Sequence, residues 1–240
     1  MIRHSLVIPA YNEARLLPRL LDSVDRARLR YPGGVQVIVA DNSSTDATAT
    51  LALRRGCDLA RVEKRCIAAA RNGGARLATG DSLCFIDADS AIHPDTFKAI
   101  DEALAQPDVV GGATGVYPER WSVGIVATWM VMMPVVWATK MDTGVVYCRR
   151  ADFEAIGGYD EEREFAEDVV FMWALKRLGA KRGQKLKRLT QAKAMASMRK
   201  FDRHGDWHYF TTVMPQGVPA IFQRSRRTDL AQRYWYTDDR

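Results

Sequence analysis

The chain has 240 residues, 47% hydrophobic and 27% charged, the composition of one ordinary globular domain or two small ones. Disordered, collagen-like and disulfide-scaffold proteins are excluded. The net charge of +6 conceals an asymmetry. Phe171 to Arg240 carries 16 Lys/Arg against 5 Asp/Glu, while Met1 to Val170 carries 19 against 24. A basic C-terminal third on an acidic body predicts contact with something anionic: phosphate, nucleic acid or a membrane face.

From the N-terminus, Ser5–Pro9 is a short apolar run of strand type, ended by proline. It follows Met-Ile-Arg-His without an apolar signal region or cleavage site, so the expected location is cytoplasmic, or on the cytosolic side of a membrane. Ala14–Leu29 carries Leu16, Leu17, Leu20, Leu21 and Val24 at helical spacing and reads as an amphipathic helix. Val35–Ala40 is a second strand. Asp41 to Asp46 is a polar turn that supplies N-caps for a helix over Thr48–Arg55, stopped by Gly56. Asp58–Glu63 is a third strand, Ile67–Ala78 an Ala-rich helix closed by Thr79-Gly80, and Ser82–Ile86 a strand that delivers Asp87-Ala88-Asp89.

Strand–helix alternation on this rhythm predicts an α/β fold with a mostly parallel central sheet flanked by helices. Ligands of such sheets sit beyond the carboxyl ends of the strands. Three of those ends carry polar groups: Tyr11-Asn12-Glu13, Asp41-Asn42 and Asp87-Ala88-Asp89. No Gly-x-Gly-x-x-Gly follows the first strand and no Gly-Lys-Ser/Thr loop occurs, which disfavours Rossmann dinucleotide and P-loop phosphate binding. Cys57, Cys66, Cys84 and Cys148 form no C-x-x-C pair, and His4, His93, His204 and His208 complete no zinc pattern, so free thiols are expected.

Two carboxylates spaced by one residue at a strand end can turn toward one ligand. Their hard oxygens suit Mg²⁺ or Mn²⁺ bridging to a diphosphate; the same dipeptide spacing also serves as a capping turn. Glu167-Asp168 stands at the start of a helical run, Val169–Leu178, where acidic groups either favour the helix dipole or supply a base.

Taken in order, Val7-Ile8-Pro9-Ala10-Tyr11-Asn12-Glu13, Ala40 to Asp46, Ala70-Arg71-Asn72-Gly73-Gly74, Gly80 to Asp89, Thr143 to Arg150, Ile156 to Glu161 and Ala166 to Phe171 make the chain resemble the family-2 glycosyltransferases: GT-A fold, inverting and metal-dependent. The resemblance covers about Ser5 to Arg188. It implies a single GT-A domain over 1–200, with a Rossmann-like nucleotide-sugar half over about 1–110, an acceptor and catalytic-base half over 111–200, and a basic extension over 201–240. It implies that Pro9, Ala10, Tyr11 and Glu13 line the nucleoside pocket, that Asp41 contacts the base, and that Arg71 contacts the nucleotide. Asp87 then approaches the ribose, Ala88 lies between the carboxylates, Asp89 holds the Mg²⁺ or Mn²⁺, and Asp168, beside Glu167, is the general base.

The Gln-x-x-Arg-Trp motif of processive synthases is absent. In its place stands Met198 to Trp207, where Arg199 and Lys200 are expected to close over the diphosphate, with His204 as an extra metal ligand; Lys181–Arg188 and Arg224–Arg227 are expected to lie against an anionic membrane or acceptor. Trp121–Thr139 is uncharged, and 14 of its 19 residues are apolar. That is at the lower limit for a membrane span, but Pro134 interrupts it and a span would split the sugar-nucleotide site. A buried, interfacial or dimer-forming helix is expected instead, with peripheral contact to a cytosolic membrane face.

The expected donor is a nucleotide-diphosphate sugar, UDP-sugar favoured, and the expected acceptor a saccharide, lipid-linked or small-molecule hydroxyl. Two alternatives stand beside it. One is a polyprenyl-phosphate glycosyltransferase with a lipid-phosphate acceptor; the other is a non-catalytic nucleotide-sugar or nucleic-acid binding module. Nucleic acid is disfavoured, because no stacking motif or recognition helix accompanies the basic tail.

Overall fold

The computed structural model describes residues 2–163 and 167–213. In chain order the elements are β1 (Ile2–Ala10), α1 (Leu17–Leu29), β2 (Gly34–Asp41), α2 (Thr48–Arg54), β3 (Asp58–Arg61), α3 (Ile67–Arg76), β4 (Ser82–Phe85) and α4 (Thr96–Leu104). There follow β5 (Val109–Pro118), α5 (Val123–Thr139), β6 (Val146–Arg149), α6 (Arg150–Ala155), α7 (Glu167–Ala180), β7 (Lys185–Ala196) and α8 (Arg199–His204), then a π-helical turn, Tyr209–Val213.

The strands form one seven-stranded sheet in the order β3-β2-β1-β4-β6-β5-β7. β1, β2, β3 and β4 are parallel, as are β5 and β7. Among the described strands only β6 runs against its neighbours, β4 and β5. Side chains alternate across the sheet, as the two-residue period of a strand requires. Leu6, Ile8 and Ala10 of β1 join Val37 and Val39 in a core under α1 and α4. Val7, with Ile38 and Ala40, faces the opposite core under α3, α6 and α7. Both faces are covered, which is why these strands read as continuous apolar runs rather than alternating ones.

Several boundaries differ from the sequence expectation. β1 runs through Pro9 to Ala10 rather than ending at the proline. Its ladder with β4 stops at Val7, so from Pro9 onward β1 pairs with β2 alone and the missing N–H is tolerated. α1 starts at Leu17, three residues later than expected, because the Glu13 carbonyl accepts from both Leu16 and Leu17 and closes a turn first. α2 has Ala47 at its N-cap with no side-chain cap bond; the polar turn before it is used elsewhere, as described below. β3 ends at Arg61, α3 at Arg76 and β4 at Phe85, each one or two residues short.

α5 is 17 residues long and ends two residues inside the uncharged segment at its N-terminal side. At 1.5 Å per residue it spans about 25 Å, and no described helix is long and apolar enough to cross a membrane. Ser122 caps it by accepting from the Ile125 N–H at 3.2 Å. Gly124, Ile125 and Thr128 in its first turns are buried, and Ile125, with the half-buried Trp129, packs against Met198, Phe201 and Tyr209. Met130 is 67% and Trp137 61% exposed, so an apolar face of the C-terminal half of the helix is left uncovered by the described residues.

The basic C-terminal third is less free than its composition implies. Arg182 pairs with Asp152 at 2.5 Å, Lys185 with Asp108 at 2.7 Å, and Arg188 with the buried Asp142 at 2.5 Å. Within the Lys181–Arg188 stretch, expected as a surface for anions, Arg188 is thus drawn into the fold, whereas Arg182 and Lys185 stay exposed in their pairs. The second expected basic cluster, Arg224–Arg227, lies outside the described residues. A boundary at residue 200 would cut α8, whose Phe201 is buried against Ile125.

Close approach of α3 to β1 requires Gly74, where a Cβ would collide with Val7 and touch Ala40. Both are buried, and a β-branched valine in a strand has little rotamer freedom to yield. Gly74→Val is expected to cost about 1–3 kcal/mol, read as a lowered midpoint in urea denaturation with an unchanged slope.

Candidate active site

Two loops at the carboxyl ends of β1 and β2 are laced together by the polar residues that the sequence placed there. Asn12 adopts φ 52°, and its side-chain carbonyl accepts from the Thr45 N–H at 2.8 Å. The Asn12 N–H donates to Ser44 Oγ at 3.0 Å and the Glu13 N–H to Thr48 Oγ1 at 2.8 Å. The Ala14 N–H donates to Asp46 Oδ2 at 3.1 Å. These bonds satisfy a backbone that leaves the sheet and needs partners. They also hold Tyr11 and Glu13 at the strand end.

The result is a cavity lined by Pro9, Ala10, Tyr11 and Glu13 from β1 and its loop, by Asp87, Ala88 and Asp89 beyond β4, and by Arg199 and Lys200 of α8. All nine were expected at a nucleotide-sugar site. Asn42, from the polar strand end Asp41-Asn42, lines it as well, as do Ile67 and Ala70, which were not foreseen. Asn42 stands where Asp41 was expected: its amide donates to the Val62 and Lys64 carbonyls at 3.0 and 2.7 Å, whereas the Asp41 carboxylate turns back to the Ser44 N–H. Arg65 lies over the Tyr11 ring at 4.7 Å, a cation–π contact on the cavity's aromatic wall. Arg19 of α1 donates to the Asp89 carbonyl and pairs with Glu119 at 2.5 Å. Nothing in the amphipathic pattern of α1 distinguished it from a solvated charge.

Arg71 does not line the cavity. It is buried beneath it, with a side chain only 4% exposed. Nη2 meets Asp87 Oδ1 at 3.0 Å, and Nη1 meets Glu167 Oε1 and Asp168 Oδ1, both at 2.8 Å. Its guanidinium also lies 5.1 Å from the Tyr159 ring. Burial alone would lower its pKa; Asp168, Tyr159, Asp87 and Glu167 outweigh that and hold it well above the ordinary arginine value. One buried cation therefore joins the strand-end carboxylate to the pair at the start of α7.

Asp168 keeps a quarter of its side-chain exposure, yet burial pushes its carboxyl up to about 7, with Glu167 and Asp87 adding to the rise and Arg71 and the Tyr159 hydroxyl opposing it. Asp89 is also raised by burial, against the pull of Arg199. Glu13, Asp87, Asp89, Glu167 and Asp168 thus converge on Arg71, Arg199 and Lys200, with Arg19 and Arg65 nearby.

Among the described residues no group of three His, Cys, Asp or Glu could hold a metal ion. His204 is exposed on α8 with its ring 5.8 Å from that of His208 and is not brought to the cavity wall. The carboxylates that do reach the wall are few and hard. That donor set suits a Mg²⁺ or Mn²⁺ that takes its remaining ligands from phosphate and water, and does not suit a closed all-protein metal site.

Residues 5–205 match the family described as Glycosyl transferase family 2. The chain belongs to glycosyl transferase family 2. It is 36% identical over 110 residues to validoxylamine A glucosyltransferase of Streptomyces hygroscopicus subsp. limoneus, covering 43% of this chain and 24% of that protein. It is 31% identical over 115 residues to dolichyl-phosphate beta-glucosyltransferase of Drosophila melanogaster, covering 42% and 35%. Among solved structures, S. aureus TarS superposes with a TM-score of 0.64 at 18% identity over 83% of this chain and 61% of that one, and TarS has also been solved with UDP-GlcNAc. The mannosyltransferase PcManGT of Pyrobaculum calidifontis, in complex with GDP-Man and Mn²⁺, gives 0.62 at 22% identity over 81% and 56%. The chain spans less than two thirds of the length of each. The α/β sheet is of the GT-A type shared by this glycosyltransferase family.

Arg71→Met would leave its carboxylates without their cation. A loss of about 3 kcal/mol is expected at neutral pH, at the low end for a broken buried pair because Asp87 is half exposed. Protonated carboxyls need no cation, so the loss should shrink as pH falls toward about 4, near the ordinary carboxylate range. Urea denaturation of both proteins at pH 5 and pH 8 measures the difference.

Proposed function

We propose that this chain moves a sugar from a nucleotide-diphosphate sugar, UDP-sugar favoured, to an acceptor hydroxyl with inversion. The observation that carries the reading is the link made by Arg71. It places Asp87, on the wall of the cavity, and Asp168, at the start of α7, on one guanidinium. Donor recognition and a base are thereby held in one frame. The base and sugar of the donor enter between Pro9, Tyr11 and Asp87, and the diphosphate lies toward Asp89, Arg199 and Lys200.

Asp168 takes the proton of the acceptor hydroxyl as that oxygen attacks the anomeric carbon from the face opposite the diphosphate. The bond from carbon to diphosphate oxygen breaks, and the electron pair leaves with the nucleotide. A carboxyl poised near neutral pH suits this work, since a base is effective when its pKa lies near the working pH. Arg199 and Lys200 receive charge that develops on the leaving group. A Mg²⁺ or Mn²⁺ held by Asp89 would supply further neutralisation at the diphosphate; the Mn²⁺ bound in PcManGT supports that choice. UDP as the nucleotide is supported by the UDP-GlcNAc complex of TarS.

A second reading is favoured by the exposed apolar surface of α5 and by the likeness to a dolichyl-phosphate glucosyltransferase. In it the acceptor is a polyprenyl phosphate, and α5 lies against the membrane that carries it, an arrangement suited to a helix rich in Met and Trp. The acceptor is then already anionic and has no proton for Asp168 to remove.

Incubation with a panel of sugar nucleotides, with and without Mn²⁺, is expected to reveal metal-dependent turnover. Asp89→Ala should abolish it, and Asp168→Asn should slow transfer to a hydroxyl by about 10²–10⁴-fold. Tight RNA binding with no turnover of any donor would overturn the reading. With a polyprenyl phosphate as acceptor, Asp168→Asn should slow the reaction by less than about tenfold, because general-base assistance is no longer required.

The pH profile is a separate test. Asp168 must be ionised to act, and its carboxyl stands near 7 in the free chain. Accordingly kcat/KM is expected to rise with pH through about 7 and level off above it.

A further inference from the structure

Arg199 reaches the cavity from α8 and meets Glu13, 186 residues earlier in the chain. Its Nη2 and Nη1 donate to Glu13 Oε1 and Oε2 at 2.7 and 2.9 Å, and its Nε lies 3.0 Å from Asp89 Oδ2. Three nitrogens of the guanidinium thus face carboxylate oxygens. Glu13 is 5% and Asp89 17% exposed, so this is no solvated surface pair. The Asp89 main chain is held separately, by Arg19 at its carbonyl. The carboxylate assigned above to a divalent cation is therefore already engaged by a cation belonging to the chain.

A metal bound directly to Asp89 at the ~2.0–2.1 Å of a hard-cation ligand would bring two positive groups onto one carboxylate. Repulsion between them grows as water is excluded, so the guanidinium must move off Asp89. α8 itself is pinned. Met198 and Phe201 are buried against Ile125, and Arg120 ties down its other end through Asp202 and Asp206, at 2.6 and 2.7 Å. What can move is the long Arg199 side chain, and a diphosphate offers a planar guanidinium the same paired oxygens that Glu13 offers now.

We propose that Arg199 is an internal substitute for the divalent cation. With no donor bound it offsets part of the charge of Glu13 and Asp89, one cation against two carboxylates. When donor and metal arrive together, the metal takes Asp89 and the guanidinium turns to the diphosphate. This rests on the reading of Asp89 as the metal-binding carboxylate. Metal alone must displace Arg199 with no new partner to receive it, and donor alone faces an uncancelled negative charge. Each ligand therefore helps the other to bind, by the same factor in both directions.

The test is Mn²⁺ binding to the full chain, followed by electron paramagnetic resonance of free Mn²⁺, with and without UDP and against a protein-free Mn²⁺–UDP control. The native chain is expected to bind Mn²⁺ weakly alone and at least tenfold more tightly with UDP. Arg199→Gln should bind Mn²⁺ alone several-fold more tightly than the native chain and lose most of the enhancement by UDP. Arg199→Lys, which keeps the charge but not the three-way contact, should fall between them and guards against a variant that fails to fold. Should Arg199→Gln and Arg199→Lys both bind Mn²⁺ alone no better than the native chain, with the UDP effect intact, Arg199 merely ties α8 to the strand ends and the proposal is overturned. Asp89→Asn separates the two levels. If it removes Mn²⁺ binding, the metal reading stands and the Arg199 variants decide the proposal. If it leaves Mn²⁺ binding unchanged in both the native and Arg199→Gln backgrounds, the metal reading fails and the proposal fails with it.

Discussion

A guanidinium sealed under the sheet's carboxyl edge needs anions around it, and the carboxylates around Arg71 need that guanidinium. Neither set tolerates burial alone, because an unpaired charge out of water costs several kcal/mol. The contacts of Arg71 with Asp87, Glu167 and Asp168 therefore constrain three separate parts of the chain at once: α3, the segment after β4 and the first turn of α7. The carboxylates outnumber the cation, and that imbalance contributes to the raised pKa of Asp168. The same interaction that secures the packing thus sets the protonation of the proposed base.

The imbalance continues across the cavity. Asp89 and Glu13 stand on its wall, and the chain meets their charge with Arg199 from a helix that follows the last strand. The site is consequently a layered structure, with a buried cation below, carboxylates at the strand ends and movable cations above. In the function proposed above, a hard divalent metal and a diphosphate, of opposite charge, would fit between the last two layers better as a pair than either would alone. The loops of β1 and β2 serve this arrangement indirectly. Most of the polar side chains in Asn12 and Ser44 to Thr48 bond to backbone rather than to the cavity, so motif residues that resemble ligand contacts are largely the frame that holds such contacts.

The sheet, its direction and its helices were legible from residue 5 to about 90, because strand and helix alternate there with short connections and each apolar run has one meaning. Errors were confined to ends: Pro9 stayed in β1 where one ladder had stopped, and α1 waited for the Glu13 turn. The second half was less legible. The reversed strand β6 and the long β7 are defined by pairing with β4 and β5, partners distant in sequence. At the cavity, Asn42 replaced Asp41, since a one-residue step at a strand end turns a side chain to the other face. Arg19 was indistinguishable from any helix-surface charge until its bond to the Asp89 carbonyl was seen.

The sequence by itself determined the α/β class, the polar strand ends and the ordered motifs that mark the family, because these depend on local periodicity and on residue types at short spacing. Only the tertiary structure decided which charges are spent. It put Arg71 below the cavity instead of in it, paired Arg182 and Lys185 at the surface and Arg188 with the buried Asp142, and brought Arg199 onto Glu13 and Asp89. The reason is that the strength of a charge depends on its depth and its partner. For these pairs the partner lies between 16 and 186 residues away in the chain, at separations over which sequence spacing carries no information about distance.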